Sequence, residues 1–298
     1  MNAKTLFLAT RPWSFTMTFS SVTLGSLLAA LAGSFNAVLY AATLAGMIAF
    51  HAATNLLNDF YDVKHGVDRV GAPTTRYRPH PSATGEESPY TIRRWAVAFY
   101  AVTLAIAGVL SYEASPWVVV LVAAGIVGSV LYTADPVVLK AKGLGEAIVF
   151  IMWGPLVPLG AYLVQTGTFS TSPIIAAVPI GLLVALVLLA NNIRDIDYDG
   201  SMGVKTIAVK LGKKAVTIYG ALLLITYLCV PLFIAVKVLP VWSLLTYLTL
   251  PGALGLWKMF KGQVPDNADP RTAGVAFQFA LLYMVSLVLQ ILVPLHLF

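Results

Sequence analysis

The sequence predicts an all-α polytopic membrane protein, with nine transmembrane helices around a central cavity that opens to the cytoplasmic side. Three observations carry this expectation. Apolar residues make up 58% of the 298 positions and charged residues only 11%, against roughly 25% charged in soluble domains. The apolar residues fall in stretches of about 17–25, the length that crosses a hydrocarbon core of about 30 Å as a helix. The charges gather in the connections, and the basic ones on alternate connections.

The expected spans are 15–33, 38–58, 95–111, 116–134, 146–166, 172–192, 215–236, 240–257 and 273–296. The first follows Lys4 and Arg11 and ends in the small-residue run Ala29–Ser34, an outline shared with cleaved secretory leaders. A motif at Arg11-Pro12-Trp13, described below, favours a retained helix. The second and sixth spans each run directly into acidic sequence at one end. Between the third and fourth, Glu113 reads as a solvated residue beside Tyr112. The seventh carries the one cysteine, Cys229, so no intramolecular disulfide can form.

A net charge of +6 in a soluble chain would suggest nucleic acid; in a membrane protein it reports orientation. Of the 19 Lys and Arg residues, only Lys237 falls outside the amino-terminal tail and the connections after spans two, four, six and eight. That shared side is therefore expected to be cytoplasmic, with the amino terminus inside, the carboxyl end Leu297-Phe298 outside, and no nucleic-acid partner.

The chain reads as one domain, 1–298. Span two ends in Asn55-Leu56-Leu57-Asn58-Asp59-Phe60-Tyr61-Asp62 and span six in Asn191-Asn192-Ile193-Arg194-Asp195-Ile196-Asp197-Tyr198-Asp199. This echo suggests two related halves, about 1–140 and 141–298, meeting around a central site.

The spacing within each run carries chemistry. Extending span two by a turn puts Asn58, Asp59 and Asp62 within one or two helical steps of a common face, with Asn55 one turn earlier. Asn192, Asp195 and Asp199 stand at i, i+3 and i+7, again one face, while Asp197 points elsewhere. Any single acid here reads as an interfacial polar group. Two matched clusters read as a site, because desolvated carboxylates repel one another unless cations join them. Magnesium suits all-oxygen donors and is typically held by one or two carboxylates plus substrate phosphates; no His/Cys cluster offers a zinc alternative. The metal candidates from spacing are Asp59, Asp62, Asp195 and Asp199, and the resemblance described next implies Asp68 as well. Arg69, Arg76 and Arg78 after the first motif, Arg194 and Lys205 around the second, and Lys140 and Lys142 after span four supply counter-charge for phosphate oxygens.

At these residues the sequence resembles the UbiA superfamily of intramembrane prenyltransferases, over essentially its full length. The family's first motif, Asn-Asp-x-x-Asp-x-x-x-Asp, is similar to Asn58-Asp59-Phe60-Tyr61-Asp62, with Gly66 at the last expected position and the acid displaced to Asp68. That departure, and the run Asn191–Asp199 followed by Gly203-Val204-Lys205-Thr206, resemble the menaquinone-type branch. Further matches are Arg11-Pro12-Trp13, Arg78-Pro79-His80-Pro81-Ser82, and Tyr132-Thr133 with Gly143-Leu144-Gly145-Glu146. The family's Tyr-x-x-x-Lys element is broken here, since Pro136 stands four residues after Tyr132 and lysines come only at 140 and 142.

The resemblance implies a Mg2+-dependent prenyltransferase that takes an isoprenyl diphosphate donor and an aromatic or lipid acceptor at the bilayer. The implied catalytic set is Asp62, Asp195, Asp199, Asn58 and Tyr132, whose ring could orient the diphosphate or stabilise a carbocation. The implied diphosphate set is Arg11, Asn55, Arg69, Arg78, Lys140, Lys142, Asn192, Arg194 and Lys205. His65 and His80 read as loop residues. A dihydroxynaphthoate-like acceptor fits the motif pattern, with geranylgeranylglyceryl phosphate or hydroxybenzoate as rivals. Two other classes compete. A cation-coupled transporter predicts acids near the bilayer midplane. A phosphoalcohol transferase predicts its acids on one adjoining helix pair.

Overall fold

A computed structural model describes residues 1–295, apart from the side chain of Tyr77. The carboxyl end at Leu297-Phe298 and the last residue of the ninth expected span lie outside them. Among the described residues every regular element is helical.

The chain opens with a short helix, α1 (Ala3–Ala9), capped by the Asn2 side chain, which accepts from the Thr5 amide at 2.8 Å. Arg11 then adopts the left-handed conformation, φ 56°, and turns the chain into α2 (Phe15–Leu31). α3 (Ala37–Lys64) starts at Asn36, whose side chain accepts from the amides of Val38 and Leu39. It continues past the expected end of the apolar run to carry Asn58, Asp59 and Asp62. α4 (Pro73–Tyr77) interrupts the long connection to α5 (Pro89–Glu113), and α6 (Trp117–Thr133) follows.

The fifth span is irregular. α7 (Gly145–Ile151) passes through a π turn at Met152–Leu156, which contains Pro155, into α8 (Val157–Thr166). A proline lacks the amide for the usual bond and crowds the preceding turn, and widened turns of this kind often mark functional regions. Pro179 similarly splits the sixth span into α9 (Ser172–Ala176) and α10 (Val178–Arg194). α11 (Ile196–Ser201) and α12 (Ile207–Leu211) precede α13 (Lys214–Ala235). The eighth span is a 3-10 segment, Val241–Thr249, followed by α14 (Leu250–Lys261), and α15 (Ala268–Leu292) closes the fold.

Among the described residues six segments are long and apolar enough to cross a membrane: Pro12–Leu31, Ala37–Lys64, Pro89–Glu113, Gly145–Thr166, Lys214–Ala235 and Ala268–Leu292. The fourth and sixth expected spans form shorter apolar helices, Trp117–Thr133 and Val178–Arg194. The eighth is broken by its 3-10 stretch.

α10 is the hub, lying against α7, α12, α13 and α15, and its buried Leu183, Leu186 and Leu189 join Leu24, Tyr219, Phe279 and Leu287 in the main apolar core. Small residues set the close approaches. A Cβ on Gly25 of α2 would stand 2.2 Å from the Pro158 carbonyl oxygen of α8, and one on Gly181 of α10 only 2.7 Å from the Gly154 Cα. These contacts set α2 against α8 and α10 against the π turn, and α2, the π turn and α10 all line a central cavity.

Candidate active site

The cavity has a volume of about 1040 Å³. Its walls are apolar at Phe50, Met152, Trp153, Val184, Leu188 and Phe277, and its polar end is built by both Asn/Asp motifs.

The first motif lies on the last turns of α3. Asn58 donates to the Asp62 carboxylate at 2.8 Å. Lys140, on the 3-10 turn Leu139–Lys142, donates to the Asn58 side-chain Oδ1 at 2.6 Å and is ion-paired with Asp62. Asn55, one turn earlier, donates to the Thr10 carbonyl at 2.9 Å and to Ser14 Oγ at 3.2 Å. It thereby pins the chain around Arg11 to α3.

Asp59 occupies a different part of the same helix. It is buried, accepts from Arg78 at 2.9 and 3.1 Å, and is ion-paired with Arg11. Asp68 accepts from His80 Nε2 at 2.8 Å and from Thr74 at 2.7 Å. The Ala83 amide donates to His80 Nδ1 at 3.3 Å, which leaves the Nε2–H directed at Asp68. Burial pushes the Asp68 carboxyl up, but the hydrogen bonds from His80 and Thr74 outweigh it and hold the group below the usual carboxylate range. Ligand atoms of Asp59, Asp68 and His80 lie within 4.8 Å of one another, a spacing a cation could use. The guanidiniums of Arg11 and Arg78 already neutralise that cluster, which makes it a poor cation site. Arg11 Nε is buried and has no hydrogen-bond partner among the described residues, and Arg11 lines the cavity, so one charged donor is left for an anion placed there.

The second motif departs from the regular helix the spacing suggests. α10 ends at Arg194 and α11 begins at Ile196, yet Asn192, Asp195 and Asp199 all line the cavity and Asp197 does not. The Asp199 amide still bonds the Asp195 carbonyl at 2.8 Å, which carries the helical register across the break. Asn192 donates to Glu146 at 2.8 Å in a buried contact. Asp195 receives both Nε and Nη2 of Arg194 at 2.7 and 2.6 Å. Among the described residues no side chain donates to the Asp199 carboxylate. Burial, reinforced by the charges of Asp195 and Asp62, pushes the Asp199 carboxyl up to about 7. Carboxylates that raise one another's affinity for a proton also attract a metal cation, and an all-oxygen set fits magnesium. Asp62, Asp195 and Asp199 could hold such an ion, since all three line the cavity.

Of the remaining sequence candidates, Tyr132 and Arg78 line the cavity, and the Lys140 ammonium stands 6.0 Å from the Tyr132 ring centre. Arg69, Lys142, Arg194, Lys205 and Asp59 are not among the lining residues. Lys205 and Lys142 instead join two loops through their backbones: the Lys205 amide bonds the Ala141 carbonyl, and Lys210 donates to the Lys142 carbonyl at 2.5 Å. Arg69 is exposed beside Met202.

Three lining residues escaped the sequence reading. His51 faces the cavity below Asn55, accepted by or donating to Thr18 at 2.8 Å and Ser14 at 3.3 Å; its spacing of four from Asn55 was the available signal. Tyr198 donates to the Val67 carbonyl at 2.6 Å and so ties the two motif loops together. Asp269, in the first turn of α15, is ion-paired with Arg194, and no local pattern announced it.

Known proteins resemble the chain throughout. A model described as the UbiA prenyltransferase family matches residues 19–293. UbiA prenyltransferase domain-containing protein 1 of Mus musculus is 30% identical over 287 residues, covering 95% of this chain and 83% of its own length. The 1,4-dihydroxy-2-naphthoate octaprenyltransferase of Bacillus subtilis is 29% identical over 295 residues, covering 96% and 92%. A solved UbiA homolog from Archaeoglobus fulgidus bound to DMAPP and Mg2+ superposes with a TM-score of 0.63 at 17% identity, covering 95% of this chain and 99% of that one.

Proposed function

The chain belongs to the UbiA prenyltransferase family and is an integral membrane prenyltransferase, and we propose that it moves an isoprenyl group from a polyprenyl diphosphate to a dihydroxynaphthoate-like aromatic acceptor with the help of Mg2+. The observation that carries this reading is the convergence of Asp62 from α3 with Asp195 at the α10–α11 break and Asp199 of α11 on one cavity. The naphthoate prenyltransferase of B. subtilis, similar along nearly the whole chain, supports the choice of acceptor. The A. fulgidus homolog, bound to DMAPP and Mg2+, supports the donor class and the metal.

Asp62, Asp195 and Asp199 would hold the metal, which when bound supplies Lewis-acid stabilisation to phosphoryl oxygens. Arg11 Nε, Arg78 and Lys140 stand around the same space as donors to the diphosphate, so charge that develops on the leaving group meets fixed donors rather than water. The allylic C–O bond breaks, the diphosphate leaves with the bonding pair, and an electron-rich ring carbon of the acceptor captures the allylic cation before losing its proton. Phe50, Met152, Trp153 and Phe277 surround the apolar tail, and the loops around Lys140 and Met202 limit water that would quench the cation.

In the same reading the two halves of the chain form one catalytic unit with nine crossings. The acidic ends of α3 and α10 and their basic loops face the cytoplasm, with the amino terminus inside. The acids gather at helix ends on one cavity, and on two helices far apart in sequence, which favours an enzyme of this kind over a transporter with midplane acids or a phosphoalcohol transferase.

The test is an assay of the purified protein in detergent with DMAPP or a longer allylic diphosphate and Mg2+. Dihydroxynaphthoate, hydroxybenzoate and geranylgeranylglyceryl phosphate are offered in parallel, and the products are read by mass spectrometry. A prenylated naphthoate is the expected product. Transfer to one of the other acceptors with no naphthoate product would reject the acceptor and keep the chemistry.

A further inference from the structure

Arg194 is among the basic residues that the sequence nominates for the diphosphate, yet its contacts are of another kind. A guanidinium has five N–H groups. Nε and one Nη2 proton grip the two Asp195 oxygens at 2.7 and 2.6 Å, and Nη2 also reaches Asn191 Oδ1 at 2.8 Å. Nη1 reaches the Asp266 carbonyl at 3.1 Å and the Asp269 carboxylate. The side chain is only 5% exposed. Every N–H is thus directed at a protein acceptor.

We infer that Asp269 and Arg194 form a clamp that positions Asp195, with Asp269 as the anchoring residue and Arg194 outside the diphosphate-binding set. The inference rests on the metal reading above and adds a residue from a third helix to it. A carboxylate offers about four lone-pair directions. The parallel fork from Arg194 takes two and fixes the plane of the group, so the other two are held in a constant direction as Asp195 lines the cavity. Asp269 decides how strongly the fork competes for that charge. Two carboxylates share one guanidinium, so Asp195 is only partly neutralised and keeps affinity for a metal cation. Without Asp269 the whole positive charge falls on Asp195. Asp269 is itself well anchored, in the first turn of α15, where a negative charge is favoured by the helix dipole. Because Asp269, Pro270 and Phe277 also line the cavity, the clamp ties the α15 wall to the second motif.

The experiment measures metal binding by the full-length protein in detergent, without turnover. Mn2+ is titrated in the presence of inorganic pyrophosphate, and free Mn2+ is read by electron paramagnetic resonance. Asp269→Asn is expected to weaken Mn2+ binding by about 10–100-fold, the usual effect of removing a group that orients a metal ligand, and Asp269→Glu to restore most of it. Arg194→Lys, which keeps the charge and loses the fork, is expected to weaken Mn2+ binding as well. In turnover assays the Mg2+ concentration for half-maximal rate should move in parallel, while KM for the diphosphate donor at saturating Mg2+ changes by less than about twofold. Unchanged Mn2+ affinity in both Asp269→Asn and Arg194→Lys would overturn the clamp and leave the metal reading standing. A rise in donor KM with unchanged Mn2+ affinity in Arg194→Lys would return Arg194 to the diphosphate. Absence of Mn2+ binding by the unaltered protein would overturn the metal reading and the clamp with it.

Discussion

The Lys140 ammonium, on the turn after α6, is ion-paired with the Asp62 carboxylate at the end of α3, and Asn58 bonds to both. In the proposed reading the pair places a positive charge beside the diphosphate, and it also sets Lys140 in competition with a metal for Asp62. Lys140→Ala should therefore raise KM for the donor by about 10–100-fold, the loss of one charge-assisted hydrogen bond of about 1.5–3 kcal/mol. The Mg2+ concentration for half-maximal rate should stay level or fall. Steady-state kinetics with donor and Mg2+ varied independently separate the two effects.

If the proposed site holds the metal, Asp62→Asn and Asp199→Asn should each abolish Mg2+-dependent turnover, because each removes a charged oxygen from it while nearly preserving shape. Size-exclusion profiles and melting curves in detergent should match those of the unaltered protein. Full activity in either variant would exclude the two-motif site.

Metal binding should depend on pH through Asp199. Its carboxyl is raised to about 7 by burial and by the charges of Asp195 and Asp62, so below pH 7 it holds a proton that a cation must displace. Apparent Mg2+ affinity should therefore rise with pH, by up to about tenfold per unit below 7, and level off above it. Asp199→Asn should flatten the profile. Mn2+ titrations at several pH values between 5.5 and 8.5 provide the measurement.

The Asp59 cluster should behave as structure. Asp59→Ala leaves Arg11 and Arg78 facing one another in a buried setting, at a cost of about 3–5 kcal/mol for a broken buried pair. A lowered melting temperature is expected, with Mn2+ affinity of the remaining folded protein unchanged. A loss of Mn2+ affinity without loss of stability would make Asp59 a metal ligand.

Packing at Gly25 gives a further test. A Cβ there stands 2.2 Å from the Pro158 carbonyl oxygen, a backbone atom that cannot swing aside. Gly25→Ala should destabilise by about 1–3 kcal/mol or more, the usual cost of overpacking. Gly255 on α14 has open space at the same position, and Gly255→Ala should be neutral or stabilise by up to about 1 kcal/mol. Thermal melts of the two variants, compared side by side, distinguish the sites.

Much of this architecture is legible along the chain. The apolar stretches give the helices their places to within a few residues, and spacing of three and four along α3 brings Asn55, Asn58 and Asp62 to the cavity. Local patterning fails where proline intervenes. Pro155 sits in the π turn of the fifth span, Pro179 stands at the α9–α10 junction, and the eighth span starts as a 3-10 segment. Apolarity records that a segment is buried or faces lipid; it does not record how its backbone hydrogen bonds are arranged.

The sequence by itself determined that the chain is a helical membrane protein with two acid-bearing helix ends, because helix length, apolarity and residue spacing are properties of neighbours in the chain. Only the tertiary structure decided which charge meets which. Arg78 and Arg11 reach Asp59 from 19 and 48 positions away, Lys140 reaches Asp62 from 78, and Arg194 reaches Asp269 from 75. A basic residue in a loop carries the same charge wherever it folds. Its role as phosphate donor, carboxylate clamp or loop surface is settled by which acceptors packing brings within about 3 Å of it.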